Sequence, residues 1–171
     1  MTPEADSSKF LRTTVRVAIA ASIAFSVDRL SKVLIVEWLN LASVQNICIW
    51  PPYLKLAMAW NKGVNFGFLN GFDARWFLVA ISIAASLALT LWARKKSDWV
   101  TTLATGAVVG GALGNAYDRI AYGAVADYIN VSCCMINNPY SFNVADVLIF
   151  GGAALLVLGH DVGRRRIKQE V

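Results

Sequence analysis

Two aspartates of this chain, Asp127 and Asp146, lie in short breaks between apolar runs and have no basic residue beside them. Two carboxylates brought to one place do not both ionise near neutral pH, because like-charge repulsion leaves one of them holding a proton. Such a pair can hydrolyse a peptide bond. The ionised member draws a proton from water, and the neutral one protonates the carbonyl oxygen or, later, the leaving amine. Neither a nucleophilic side chain nor a metal nor a cofactor is needed. Competing chemistries are poorly supplied. The single histidine, His160, stands beside Asp161 and a basic tail, where a helix-end residue is at home. It has no second histidine and no cysteine or glutamate at zinc-ligand spacing. A serine or cysteine nucleophile would find only Lys32 or Lys62 as its base.

Further polar residues fall within or beside apolar stretches, where charge is costly. Asp28 and Lys32 are four apart, so they share one helix face and can pair. Asp118 precedes Arg119 directly, with Asn115 one turn earlier. These charged residues read as structural pairs, Asp28 with Lys32 and Asp118 with Arg119, or as parts of a site. Asn115 and Asn143 supply both donors and acceptors, to hold a scissile peptide or to orient the aspartates. Arg119 is placed to pair with Asp118 or to anchor a lipid phosphate.

The elements that carry these residues are set by composition. Of 171 residues 57% are hydrophobic and 16% charged, against roughly 45–50% apolar and 25% charged in soluble domains. A membrane is the solvent this implies. Ten of the 16 Lys and Arg lie in three clusters flanking apolar runs (Lys9, Arg12, Arg16; Arg94, Lys95, Lys96; Arg164, Arg165, Arg166, Lys168). That is a topology signal and not a nucleic-acid stripe. Four stretches approach the ~20 residues that cross a bilayer, at about 17–38, 76–92, 99–117 and 144–160. Short basic loops stay cytoplasmic, so both tails and the turn at 94–96 face inward, and an even number of spans satisfies all three. The first span reads as a retained helix and not a cleaved signal peptide, since it continues through Asp28, Arg29 and Lys32. The expected fold is a single α-helical membrane domain over residues 1–171, a four-transmembrane-helix bundle. A small β-containing platform from residues 39–75 sits on its outer, periplasmic side. There Trp38, Trp50, Tyr53, Trp60 and Trp76 lie at headgroup level. Gly110, Gly111 and Gly114 let the third span approach a neighbour closely.

Four blocks, in order, resemble the lipoprotein signal peptidase (signal peptidase II) family. They are Asp28-Arg29-Leu30-Ser31-Lys32; Asn61-Lys62-Gly63-Val64-Asn65-Phe66-Gly67; Gly110 to Arg119 with Gly123-Ala124-Val125-Ala126-Asp127; and Phe142-Asn143-Val144-Ala145-Asp146. The resemblance implies a bacterial enzyme that removes the signal peptide from prolipoproteins already carrying a diacylglyceryl group. It implies Asp127 and Asp146 as the catalytic aspartates. Asp28, Lys32, Asn61, Gly63, Asn115, Asp118, Arg119 and Asn143 fall to substrate binding or support of the site. The implied setting is the bacterial inner membrane, with both termini cytoplasmic and the site near the outer face. Prolipoproteins and membrane lipids are the expected partners of a monomer that uses no metal, cofactor or nucleic acid. Two departures touch substrate preference: Asn65 before Phe66, where the family has a small residue, and Ser132 to Tyr140 between the aspartates, where many relatives are aromatic-rich. A descendant that keeps the fold but acts as a binding or assembly subunit is the alternative, and a proton-coupled transporter would need polar groups through the inner half as well.

Cys48, Cys133 and Cys134 all fall in outward segments, which face an oxidising compartment. A disulfide from Cys48 to Cys133 or Cys134 would tie the platform to the loop between the aspartates; the alternative is free thiols.

Overall fold

The computed structural model describes residues 3–63, 74–96, 98–132 and 138–169, with side chains described between residues 10 and 159. Helix α1 (Pro3–Lys32) runs without a capping stop into a π-helical turn, Val33–Trp38, followed by the one-turn α2 (Leu41–Val44). Strands β1 (Asn46–Trp50) and β2 (Leu54–Asn61) form a hairpin. Helices α3 (Ala74–Ala93) and α4 (Trp99–Tyr122), strand β3 (Val125–Val131) and helix α5 (Val144–Gln169) complete the described chain. The chain is thus mostly helical, with one three-stranded antiparallel sheet in the order β1-β2-β3.

Local chemistry marks the ends of α4. Asp98 is its N-cap, accepting from the Thr101 N–H at 2.8 Å, and Gly123 closes it in the left-handed region at φ 78°, donating its N–H to the Arg119 carbonyl at 3.1 Å. Helix α4 is the centre of the bundle, packed on α1, α3 and α5, whereas α1 and α3 scarcely meet. Small residues make this possible. A Cβ at Gly110 would strike the Ala21 carbonyl of α1, one at Gly114 the Asp28 carboxylate, and one at Gly111 would lie 2.6 Å from the Ala145 carbonyl of α5.

The distribution of polarity is inverted relative to a water-soluble domain. Ile19, Ile23, Val27 and Leu30 of α1, Phe77, Ile81 and Leu87 of α3, and Phe150, Leu155, Val157 and Leu158 of α5 are all exposed, while Asp28, Asp118, Lys32 and Asn143 are buried. Among the described residues one helix, Ala74–Ala93 with mean hydropathy 2.0, is long and apolar enough by length and composition to cross a membrane; Val144–Gly159 is a shorter apolar run. Helices α1 and α4 carry the buried charges of the bundle. Both helices and α5 also extend beyond the stretches expected from apolar sequence alone.

The platform forms as expected at β1 and β2, and Trp38, Trp50, Tyr53, Trp60 and Trp76 are exposed around it. Its third strand was not foreseen. Sequence puts Asp127 only between two spans, whereas the fold places it in β3, opposite Ala59 of β2. Leu41, Leu56 and Tyr128 form a small core beneath the sheet, and the Tyr128 and Ser31 hydroxyls, 2.6 Å apart, join it to α1. Cys48 is a free, exposed thiol on β1, the second of the two readings open from sequence; Cys133, Cys134 and Asn65 lie outside the described residues, as does the His160 side chain.

Candidate active site

Asp127 and Asp146 reach one site from different elements, and short-range chemistry explains both placements. Asp146 is in the first turn of α5, where Asn143 caps the helix. The Asp146 N–H donates to Asn143 Oδ1 at 3.0 Å, and the Asn143 N–H donates back to Asp146 Oδ2 at 3.1 Å. This reciprocal capping box makes the block Asn143-Val144-Ala145-Asp146 a structural unit as well as a chemical one. Asp127 is delivered by β3. Pairing shifts between Leu56↔Ile129 and Ala59↔Asp127 give β2 one extra residue. A bulge of this kind re-aims the side chains next to it.

Three asparagines hold the two carboxylates. Asn61 Nδ2 donates to Asp127 Oδ2 at 3.1 Å, and Asn143 Nδ2 donates to Asp127 Oδ1 at 2.6 Å. Asn115 Nδ2 donates to Asp146 Oδ1 at 2.9 Å. In each case the amide oxygen is committed elsewhere. Asn61 Oδ1 accepts the Gly63 N–H at 2.9 Å, Asn143 Oδ1 accepts the Asp146 N–H, and Asn115 Oδ1 accepts from Lys32 Nζ at 3.2 Å. Gly63 makes its contact at φ 90°, a backbone conformation that a side chain would strain. Both aspartates therefore accept hydrogen bonds from amide N–H groups whose oxygens face other donors.

Electrostatics separates the two. Asp127 is 4% exposed. Burial pushes its carboxyl up to about 6; Asp146 adds to the rise, and the Asn61 and Asn143 hydrogen bonds and the Lys32 charge oppose it. The Arg119 guanidinium lies within electrostatic reach of Asp127, Asp146 and Asp118, and donates to the Asn115 carbonyl at 3.2 Å. Its Nε is buried without a hydrogen-bond partner among the described residues.

Next to this pair lies an ionic cluster. Lys32 Nζ meets Asp28 Oδ2 at 2.8 Å and Asp118 Oδ2 at 2.7 Å. Asp118 also takes Arg29 through its other oxygen. The Asp28–Lys32 pair is as expected, but the expected Asp118–Arg119 pair does not form, because Asp118 turns toward α1 and Arg119 toward the aspartate pair. Arg29 was the residue missed. Its signal was available: a third charge in an apolar helix beside an already matched Asp28 and Lys32 calls for a distant carboxylate. Arg29 also stacks on Tyr117, 4.5 Å from the ring centre.

Residues 20–160, most of the chain, match the family model described as "Signal peptidase (SPase) II". The chain belongs to the signal peptidase II family. Among similar proteins, the lipoprotein signal peptidase of Methylorubrum extorquens is 42% identical over 112 residues, 63% of each chain. That of Rhodopseudomonas palustris is 33% identical over 157 residues, 88% of this chain and 95% of the relative. The alignment thus spans just under two thirds of the first relative and nearly all of the second. Two solved structures, each described as a bacterial membrane enzyme studied by the in meso method, share the fold. One has TM-score 0.70 at 24% identity, covering 84% of this chain and 90% of the other. The second has TM-score 0.66 at 23% identity, covering 84% and 85%.

Proposed function

We propose that this member of the signal peptidase II family is a lipoprotein signal peptidase, an aspartyl endopeptidase that removes the signal peptide from diacylglyceryl-modified prolipoproteins. The observation that carries this reading is the aspartate pair: two carboxylates at one end of a helical bundle, each held by amide N–H groups and, among the described residues, neither bonded to a cation.

In the proposed reaction Asp127 holds the proton and Asp146 is the base. Burial favours the neutral form of Asp127. Asp146 accepts one side-chain and one backbone N–H at the start of α5, which leave it oriented toward the pair. Asp146 takes a proton from water as the water oxygen bonds to the scissile carbonyl carbon, and Asp127 gives its proton to the carbonyl oxygen. The resulting diol collapses when Asp127 takes back a hydroxyl proton and Asp146 delivers its own to the departing nitrogen. The C–N bond breaks, one water is consumed, and the pair regains its starting charge.

The same reading makes α1, α3, α4 and α5 the four spans of a single inner-membrane domain. The exposed apolar belt and the buried charges support it, as does the fit of basic clusters to a cytoplasmic face. The site then lies at the outer boundary, where a lipid-anchored peptide reaches it, and the protein works as a monomer among lipids. The test is cleavage of a diacylglyceryl-modified prolipoprotein by the detergent-solubilised protein, beside Asp127→Asn and Asp146→Asn. The wild type cleaves and the variants do not; cleavage by either variant at the wild-type rate would sink the assignment of the pair.

A further inference from the structure

We propose that Lys32 is a positioning residue for the aspartate pair: by holding the Asn115 oxygen, its ammonium sets which end of that amide faces Asp146, and so couples the buried ionic cluster to the hydrolytic site. This rests on the reading of Asp127 and Asp146 as the reacting groups.

The argument is one of donor inventory. An ammonium has three N–H bonds and no acceptor. Lys32, 2% exposed, has three oxygens around it: Asp28 Oδ2 at 2.8 Å, Asp118 Oδ2 at 2.7 Å and Asn115 Oδ1 at 3.2 Å. The two carboxylates fix the nitrogen in place. Asp28 is itself anchored by the Ala145 N–H at 3.0 Å, and Asp118 by Arg29 and by the Ala126 N–H at 3.3 Å. Its third hydrogen is therefore aimed at Asn115 by a rigid frame.

Asn115 is symmetric in shape but not in chemistry. With its oxygen toward Lys32, its NH₂ meets Asp146 Oδ1 at 2.9 Å. Flipped, it would set a carbonyl oxygen against the Asp146 carboxylate and an N–H against the ammonium. The other donor to Asn115 Oδ1 is Asn143 Nδ2, also at 3.2 Å, which makes its shorter bond, 2.6 Å, to Asp127. Lys32 is the charged donor of the two, and charge-assisted bonds are the stronger kind. The adjoining block Ala145-Asp146 is tied to the same frame, since Asp28 holds the backbone one residue before Asp146. Thus one cation, in contact with neither reacting carboxylate, fixes the polarity of the amide that holds Asp146.

The test compares Lys32→Met and the charge-balanced Asp28→Asn/Lys32→Met with wild type. The double variant keeps the Asp118–Arg29 pair and an oxygen for the Ala145 N–H, so it preserves the fold where the single one loses it; thermal unfolding in detergent identifies folded samples. Cleavage of a diacylglyceryl-modified prolipoprotein is followed for kcat, KM and their pH dependence. The expected result is a kcat lower by about 10- to 100-fold, with KM within about twofold. The alkaline limb also moves to higher pH, because the Lys32 charge no longer opposes proton retention by Asp127. Unchanged kcat per folded molecule together with an unmoved alkaline limb would leave Lys32 a purely structural cation and overturn the proposal. Failure of the wild type to cleave is a different result, visible before any variant is made, and overturns the functional reading beneath it.

Discussion

Two pairs of carboxylates share one end of this bundle, and they are treated in opposite ways. Asp28 and Asp118 are fully buried, and Lys32 and Arg29 match them charge for charge, with backbone N–H groups of Ala145 and Ala126 filling in. Asp127 and Asp146 receive N–H donors of similar length, but from amides. An amide orients a carboxylate without cancelling its charge, so the field of Asp146 still acts on Asp127 and adds to the rise that burial causes. The first pair, matched by cations and backbone N–H groups, ties α1 to α4 and to the start of α5, while the second is held by amide N–H groups alone among the described residues. Lys32 and Asn115 are where the two meet.

If that contrast holds, substitutions in the two pairs break different properties. The largest effect falls on rate: Asp127→Asn and Asp146→Asn each lower cleavage by at least about 10³-fold, as loss of an acid or base in concert with its partner does. Thermal unfolding of both variants stays at or above that of wild type. Next in size is Asp118→Ala, which leaves Arg29 and Lys32 facing only Asp28. Breaking one partner out of a buried ionic cluster costs about 3–5 kcal/mol, read as a lower midpoint in detergent unfolding. The folded fraction retains more activity than either dyad variant. A stable Asp118→Ala protein would show that the cluster is not what holds α1 to α4.

The pH dependence sharpens the contrast further. Asp127, raised from 3.8 to about 6, binds its proton more tightly in the folded than in the unfolded chain. Its contribution to stability is complete below about pH 4 and is lost as pH rises through about 6. At about 1.4 kcal/mol per unit, wild type loses about 2 kcal/mol more than Asp127→Asn between pH 4 and 7. Parallel stability curves for the two proteins would contradict this. Activity follows the same group, so kcat/KM declines above about pH 6, and kcat declines at higher pH because bound substrate excludes water and favours the neutral acid.

Much of this was legible in the residues, and for physical reasons. Charge at i and i+4 gave Asp28–Lys32, since helix geometry makes that pair local. Apolar runs gave the four long helices, and the aspartates without basic neighbours gave the candidate site. Failures came wherever partners are distant in sequence. Adjacency suggested Asp118–Arg119, but residues one apart on a helix point about 100° apart, and Asp118 instead finds Arg29, 89 positions away. Strand β3 was missed because its residues are buried on both faces and show no alternation. The polarity of the asparagines was left open for the same reason: an amide's orientation is decided by what holds its oxygen, here Lys32, a backbone N–H of Gly63 and a helix start.

The smallest effect belongs to Asn61, and its sign with pH is what makes it useful. Its Nδ2 gives Asp127 one of two amide bonds, and its own oxygen is fixed two residues on by Gly63. Asn61→Leu removes a donor that favours the ionised carboxyl, so Asp127 keeps its proton to higher pH. The substitution also loosens the orientation of Asp127, and loss of one such bond lowers the rate by about tenfold or less. These two consequences oppose each other above pH 6: orientation is poorer at every pH, but a larger share of molecules carries the acid proton. The deficit relative to wild type is therefore greatest near pH 5 and shrinks toward pH 8. A residue that merely supported the sheet would give a deficit independent of pH, so the slope of that ratio, and not the size of the loss, tells whether the amides around the pair tune its proton or only hold it in place.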